Sequence, residues 1–305
     1  MTAAADRGWR KPAIKGPRMN VRVLAALLAT LPLLAGPAAA EPPVWTVRDA
    51  DSTITLFGSV HVLPADLDWR PDRLDAALAT ADDLWFETPV GQASDAEAAQ
   101  AATARGYLPA GQSLSSLLTA DGRARLDRVS GRLGLAPAGM ERLAPWYADI
   151  TLGVVTLMRQ GATVTTGVER TLAEAAPQAQ RRAFETSGQQ IAFFADAPMA
   201  DQLASLEDTL RQLDEDPDYY NQLINAWAKG DTRAIETLGL TPMKQISVYL
   251  YDQLIVQRNR RWVDTIAGRM NGSGRTVIVV GVGHLVGPDS VPALLRARGY
   301  AVDGP

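Results

Sequence analysis

Ile54-Thr55-Leu56-Phe57-Gly58-Ser59-Val60-His61 and, near the far end, Val277-Ile278-Val279-Val280-Gly281-Val282-Gly283-His284 share one plan: an apolar, β-branched run closes on Gly-x-x-His. These are the only two histidines in 305 residues. Glycine is about 7% of average sequence, so two unrelated histidines would both follow it at this spacing only about 0.5% of the time. Each run reads as a buried strand, which places both imidazoles just past a strand's carboxyl end, where open α/β sheets hold their ligands. Imidazole is a common metal ligand and a ready acid or base, so the pair is expected to share a site. The glycine permits a sharp turn or a close approach of the backbone.

Outward from the first run, two extended stretches flank the turn formers Asp49-Ala50-Asp51-Ser52 between Val44 and Phe57, the pattern of a hairpin. Pro71 opens an amphipathic helix through Leu74, Leu78 and Ala81, and Leu84-Trp85-Phe86 follows as a second strand. Strand, helix and strand form a βαβ unit with parallel strands, so Glu87 is expected at the same sheet edge as His61. Gln180 to Phe184 leads to Glu185 with Thr186 and Ser187 after it, a short strand, a carboxylate and a helix start in the same order. Glu185 is thus a second acidic candidate.

Two Ala- and Leu-rich stretches, about 94–160 and 199–270, read as helical. In the first, Asp121 is the expected N-cap of one helix, and Arg123, Arg125, Arg128 and Arg132 read as a solvated face. In the second, Gly230 and Gly239 are expected to stop the pieces, and Pro242 to start a long helix reaching about Arg269. Arg258, Asn259 and Trp262 fall together on it, with Arg258 and Trp262 on one face by their i,i+4 spacing. A last helix and an edge strand are expected around Leu294 and Val302.

Residues 1–40 are set apart. A basic stretch precedes the apolar run Val23 to Leu34, and Ala38-Ala39-Ala40 offers a small-residue cleavage site, the plan of a secretory signal peptide. Met19 is an alternative start for that signal. Pro32 and Pro37 interrupt a run shorter than the ~20 residues a membrane span needs, so membrane contact is expected only through an uncleaved signal. A single domain over 41–305 and a periplasmic or secreted location follow as expectations. The chain carries a formal charge of −4, and residues 1–40 hold six basic side chains and one acid, which leaves −9 for the remainder. Such an acidic surface argues against nucleic-acid partners. With no cysteine, a metal site would have to use His, carboxylate and water.

Five ordered segments resemble the TraB/GumN family, which includes the Tiki-type membrane-anchored peptidases. They are Leu56 to Pro64, Leu84 to Glu87, Phe184-Glu185-Thr186 with Gln189, Arg258-Asn259 with Trp262, and Val279 to Gly287. The resemblance implies a mixed, largely parallel α/β fold related to erythromycin-esterase and ChaN-like proteins, and metal-dependent hydrolysis of a peptide or protein substrate. It implies manganese or cobalt as the divalent metal, with zinc also compatible, and makes His61, Glu87 and His284 the metal ligands, surrounded by Glu185, Arg258 and Asn259 as catalytic residues. Glu169 stands after Gly167-Val168 where the resemblance has Asp, which leaves its role open.

In the metal-dependent reading, the cation activates water and polarises the carbonyl, Glu185 acts as general base and Arg258 faces the oxyanion. An alternative hydrolase needs no metal: His61 is the base toward water, Glu87 orients it, and His284 binds the oxyanion. A non-enzymatic alternative is a haem- or metal-binding periplasmic protein in which the same residues hold a ligand without turnover.

Overall fold

Residues 41–64, 66–163 and 167–305 are described by the computed structural model, and the signal peptide expected over 1–40 lies outside them. The strands are β1 (Val44–Arg48), β2 (Ser52–Ser59), β3 (Leu63–Pro64), β4 (Asp83–Phe86), β5 (Ala162–Thr163), β6 (Gln180–Ala183), β7 (Gly274–Gly281) and β8 (Ala301–Asp303). Six of them form a mixed sheet in the order β6-β4-β7-β2-β1-β8, and β3 pairs with β5 separately. Within the sheet, β2, β7, β4 and β6 are mutually parallel, while β1 is antiparallel to both of its neighbours. The fold is therefore α/β with a mostly parallel sheet, as the alternating strand and helix patterns predict.

The hairpin of β1 and β2, the helix Asp72–Ala79 after Pro71, the helix Val291–Ala297 and the edge strand β8 all form where the sequence places them. One detail of the βαβ unit differs. β7 lies between β2 and β4 and hydrogen-bonds to both, so the two strands share direction without touching. Val277, Ile278, Val279 and Val280 are almost completely buried, and burial on both faces is what turns a continuous β-branched run into a central strand.

Helices cover the sheet and also pack on one another. Leu206, Leu210 and Leu213 of the helix Met199–Glu215 meet Leu126, Val129 and Leu133 of Ala120–Leu133 and Leu152 of Pro145–Arg159 in a core apart from the sheet. The arginine face is a charged seam between two of these helices rather than a bare solvated face. Arg128 and Arg132 pair with Asp214, and Arg125 bridges Asp121 and Glu215. Asp121 is thereby engaged in the first turn, and the N-cap is Thr119, whose side chain accepts from Gly122 N.

Two expectations for the 199–270 stretch are corrected. Gly239 does not stop a helix but lies within the π-helical segment Glu236–Leu240. The long helix from Pro242 is interrupted at Ser247, whose extended backbone and side-chain bond to Leu250 N restart the helix at Val248. A second π segment, Asp252–Val256, then leads into the helix Gln257–Met270. Such bulges shift the helix face presented to the sheet. Among the described residues no helix is long and apolar enough to cross a membrane.

Gly58 shows why the first motif needs glycine. A Cβ there would lie 2.8–3.0 Å from Cγ2, Cβ and Cα of Val282, in the loop that follows β7. On the Gly58 carbonyl, the buried Trp227 indole donates a hydrogen bond of 2.8 Å, so the strand cannot shift away. Gly58→Ala is expected to destabilise the fold by about 1–3 kcal/mol through overpacking, seen as a lower urea midpoint at unchanged slope.

Candidate active site

The parallel strands deliver their following residues to one edge of the sheet. Ser59 of β2 is in register with Gly281 of β7, so the two Gly-x-x-His segments leave the sheet side by side. Glu87 follows β4 directly, and Glu185 lies just beyond β6, its N–H bonded to the Glu87 carbonyl at 2.8 Å. Across this edge runs the helix Gln257–Met270, which brings Arg258, Asn259 and Trp262.

Arg258 joins these parts. Its Nη2 donates to Glu87 Oε2 at 2.5 Å and lies 2.9 Å from Glu185 Oε2, while its Nε donates to both Glu185 oxygens at 3.0 and 3.1 Å. The remaining nitrogen, Nη1, lies 3.2 Å from the Leu254 carbonyl and 3.0 Å from His284 Nε2. The guanidinium is 4.8 Å from the Trp262 ring centroid and 5.3 Å from that of Phe193. With its donors so engaged and 5% exposure, Arg258 positions its neighbours and is not presented to a substrate oxyanion. Glu185 is likewise held, accepting from Trp262 Nε1 as well, and borders a separate cavity lined by Phe184, Phe193 and Trp262.

The network assigns the state of His284. An arginine N–H can only donate, so Nε2 must accept, and Nδ1 carries the proton and donates to Asn259 Oδ1 at 2.6 Å. The imidazole is therefore neutral. Burial pushes its pKa down to about 3, against the pull of Glu87. Asn259 is oriented in turn, its amide donating to the Asp289 carbonyl at 2.8 Å. Burial also works against the Glu87 charge, but His284, protonated only in the acid range where Glu87 itself titrates, together with Arg258, His61 and the Gly281 N–H outweighs it and holds the pKa at about 2. The Gly281 N–H to Glu87 Oε1 bond is 2.6 Å, and a Cβ on Gly281 would sit 3.1 Å from that oxygen. The second glycine thus serves carboxylate approach, as the first serves loop crossing.

His61 has a different environment. Its Nδ1 lies 2.7 Å from Glu169 Oε1, and its side chain is 65% exposed. Ser59 Oγ donates to the same carboxylate oxygen at 2.5 Å. The Glu169 charge is the main force raising the His61 pKa, to about 9, against desolvation. Burial opposes the Glu169 charge in turn, yet His61 and Ser59 together lower its pKa. Glu169, whose role the sequence reading left open, is the partner of His61. Its distance from His61 in the chain conceals the pairing, and the extra methylene relative to Asp still lets the carboxylate reach the ring. A polar cavity of about 260 Å³ lies beside this pair, bordered by His61, Glu87, Glu169, Arg170 and Gln190. Gln190 closes the link by donating to Glu87 Oε2 at 2.9 Å.

The two histidines are therefore neighbours with separate partners. As arranged, His61, Glu87 and His284 do not fit a shared divalent cation. The His284 Nε2 lone pair and one Glu87 oxygen face the Arg258 guanidinium, a cation already occupying the position between them. Among the described residues no group of three or more His, Cys, Asp or Glu side chains is placed to hold a metal.

Comparison with known proteins agrees with the five-segment resemblance. The TraB/PrgY/gumN family model matches residues 43–304, and the chain belongs to that family. Among its relatives are the uncharacterized protein YbaP of Escherichia coli (strain K12) and that of Shigella flexneri. Each is 28% identical over 243 residues, covering 79% of this chain and 87% of the relative. No solved structure matches the chain.

Arg258→Met leaves two buried carboxylates without their cation and is expected to cost about 3–5 kcal/mol at neutral pH. Glu87 has its pKa depressed from 4.5 to about 2, so the stability it lends is present above pH 4.5 and lost as pH falls through about 2. The gap between the variant and the parent should accordingly shrink as pH falls below 4.5, measured by urea denaturation across that range.

Proposed function

We propose that this member of the TraB/PrgY/gumN family is a hydrolase of peptide or ester carbonyls in which His61, backed by Glu169, activates water. The observation that carries the reading is the 2.7 Å contact between His61 Nδ1 and Glu169 on a ring left 65% exposed beside a cavity. Glu169 accepts a hydrogen bond from Nδ1–H and so fixes the tautomer with Nε2 as the base. In the attack, Nε2 takes one water proton while the water oxygen bonds to the carbonyl carbon and the C=O π pair moves onto oxygen. As the tetrahedral adduct collapses, the C–N or C–O bond breaks and the leaving group takes the proton back from Nε2. Arg170, on the wall of the same cavity and ion-paired there with Asp95 at 2.6 Å, is the cation proposed to meet the oxyanion with its remaining donors.

Glu87, Arg258, Glu185, His284 and Asn259 form the rigid floor behind that step. The two carboxylates Glu169 and Glu87 stabilise the imidazolium that forms in the transition state, since both raise the His61 pKa. The basic and apolar segments of residues 1–40 support export, so the substrate is proposed to lie outside the cytoplasm.

Hydrolysis of a fluorogenic peptide and ester panel by the purified protein tests the reading. His61→Ala should lower kcat/KM by roughly 10²–10⁴-fold, the usual contribution of a general base. A base must be deprotonated to act, so activity should rise with pH toward about 9 and fail in acid. Glu169→Gln removes the charge that raises the imidazole pKa, moving the acid limb down toward 6.5 and lowering the plateau. An unmoved limb in Glu169→Gln would defeat the assignment. Stoichiometric metal that survives dialysis but is lost in His284→Ala would replace it with a metal-centred mechanism.

A further inference from the structure

On its other side, His61 borders an apolar cavity of about 430 Å³ walled by Val60, Trp146, Ile150, Leu157, Phe194 and Leu254. Asp149, Ser205, Thr209 and Tyr220 line the same cavity. Ser205 and Thr209 also border a neighbouring cavity that His61 does not line, which sets their hydroxyls toward the end of the pocket away from the imidazole. Asp149 Oδ2 accepts from Ser205 Oγ at 2.6 Å, and Thr209 supplies a second side-chain bond. Two bonds do not exhaust a carboxylate, which offers about four acceptor positions. Among the described residues no Lys, Arg or His forms an ion pair with it.

The space is built into the fold. Gly153 lies inside the helix Pro145–Arg159, where glycine costs roughly 0.5–1 kcal/mol relative to alanine. A Cβ at Gly153 would come within 2.9 Å of the Tyr220 hydroxyl, so its absence keeps room in the cavity. Apolar walls favour an aliphatic chain, and a carboxylate among hydroxyls favours a cationic donor at its tip.

We infer that this cavity is a specificity pocket for an alkylammonium group, an aliphatic chain ending in a primary amine, with Asp149 as its counter-ion. This rests on the hydrolase reading for its place beside His61, and it names the substrate class: a peptide or ester carrying a lysine-like side chain next to the bond that is cut. Burial raises the Asp149 pKa when no cation is present, and an ammonium relieves that cost by supplying the missing charge.

Binding is tested apart from catalysis by titrating the full chain calorimetrically with hexylammonium chloride, 1-hexanol and hexanoate. Hexylammonium should bind tightest, and Asp149→Asn should weaken it by roughly tenfold or more, the worth of a charged hydrogen bond, while leaving hexanol unchanged. If Asp149→Asn melts early, Ser205→Ala and Thr209→Val should each weaken hexylammonium by a smaller factor. Equal binding of hexylammonium and hexanol, or hexylammonium binding indifferent to all three substitutions, overturns the pocket. A protein that binds hexylammonium but hydrolyses nothing sinks the hydrolase reading alone. Among cleaved peptides, preference for lysine over norleucine assigns the amine to a substrate side chain; no preference overturns the substrate class.

Discussion

The buried guanidinium of Arg258 between Glu87 and Glu185 is the constraint on which the site depends. Parallel pairing of β4 and β6 brings the two glutamates to adjacent strand ends, where backbone bonding fixes them side by side. Two carboxylates in so dry a place cannot both stay charged without a cation. Arg258 supplies one that is always protonated, and its planar fork fits both acids at once. Such a cluster contributes little net stability after desolvation, but it admits few arrangements. It therefore fixes how the helix Gln257–Met270 sits on the sheet edge.

From that helix position the chemistry of both histidines follows. Arg258 directs a donor at His284 Nε2, which forces the neutral imidazole and places its proton toward Asn259. His61 emerges from the same motif one strand away but meets the Glu169 carboxylate instead of a guanidinium. The same four-residue pattern thus yields one buried, neutral ring and one exposed, charged ring. The glycines are shared for steric reasons that differ in detail: Gly58 clears Val282, and Gly281 clears Glu87.

Much of this is written locally. β-Branched runs identify β2 and β7, the hairpin turn identifies β1, and Thr186 with Gln189 forms a capping box that starts the helix after Glu185. All six residues proposed for the site from the sequence lie at this sheet edge, but their division of labour was not legible. Pattern cannot reveal that β7 inserts between β2 and β4, because strand order is a long-range choice. Nor can it reveal that Glu169 meets His61, since a loop contact across about a hundred residues leaves no local trace. The break at Ser247 was hidden for a related reason. Ser is tolerated inside helices, and only tertiary packing selects the capping alternative.

The charge distribution gives the arrangement its chemical sense. Glu87, Glu185 and Arg258 sum to a net negative centre, while His284 adds nothing because it is neutral. Glu169 adds a second negative charge 2.7 Å from His61 Nδ1. An imidazole whose pKa two nearby carboxylates raise is a stronger base than a free one, and the cation formed when it takes a proton is stabilised where it arises. A guanidinium directed at His61 instead would have the opposite effect. Glu169 and Glu87 outweigh the downward pull of Arg258 on the His61 pKa, so Arg258 can neutralise the floor of the site while His61 stays strongly basic.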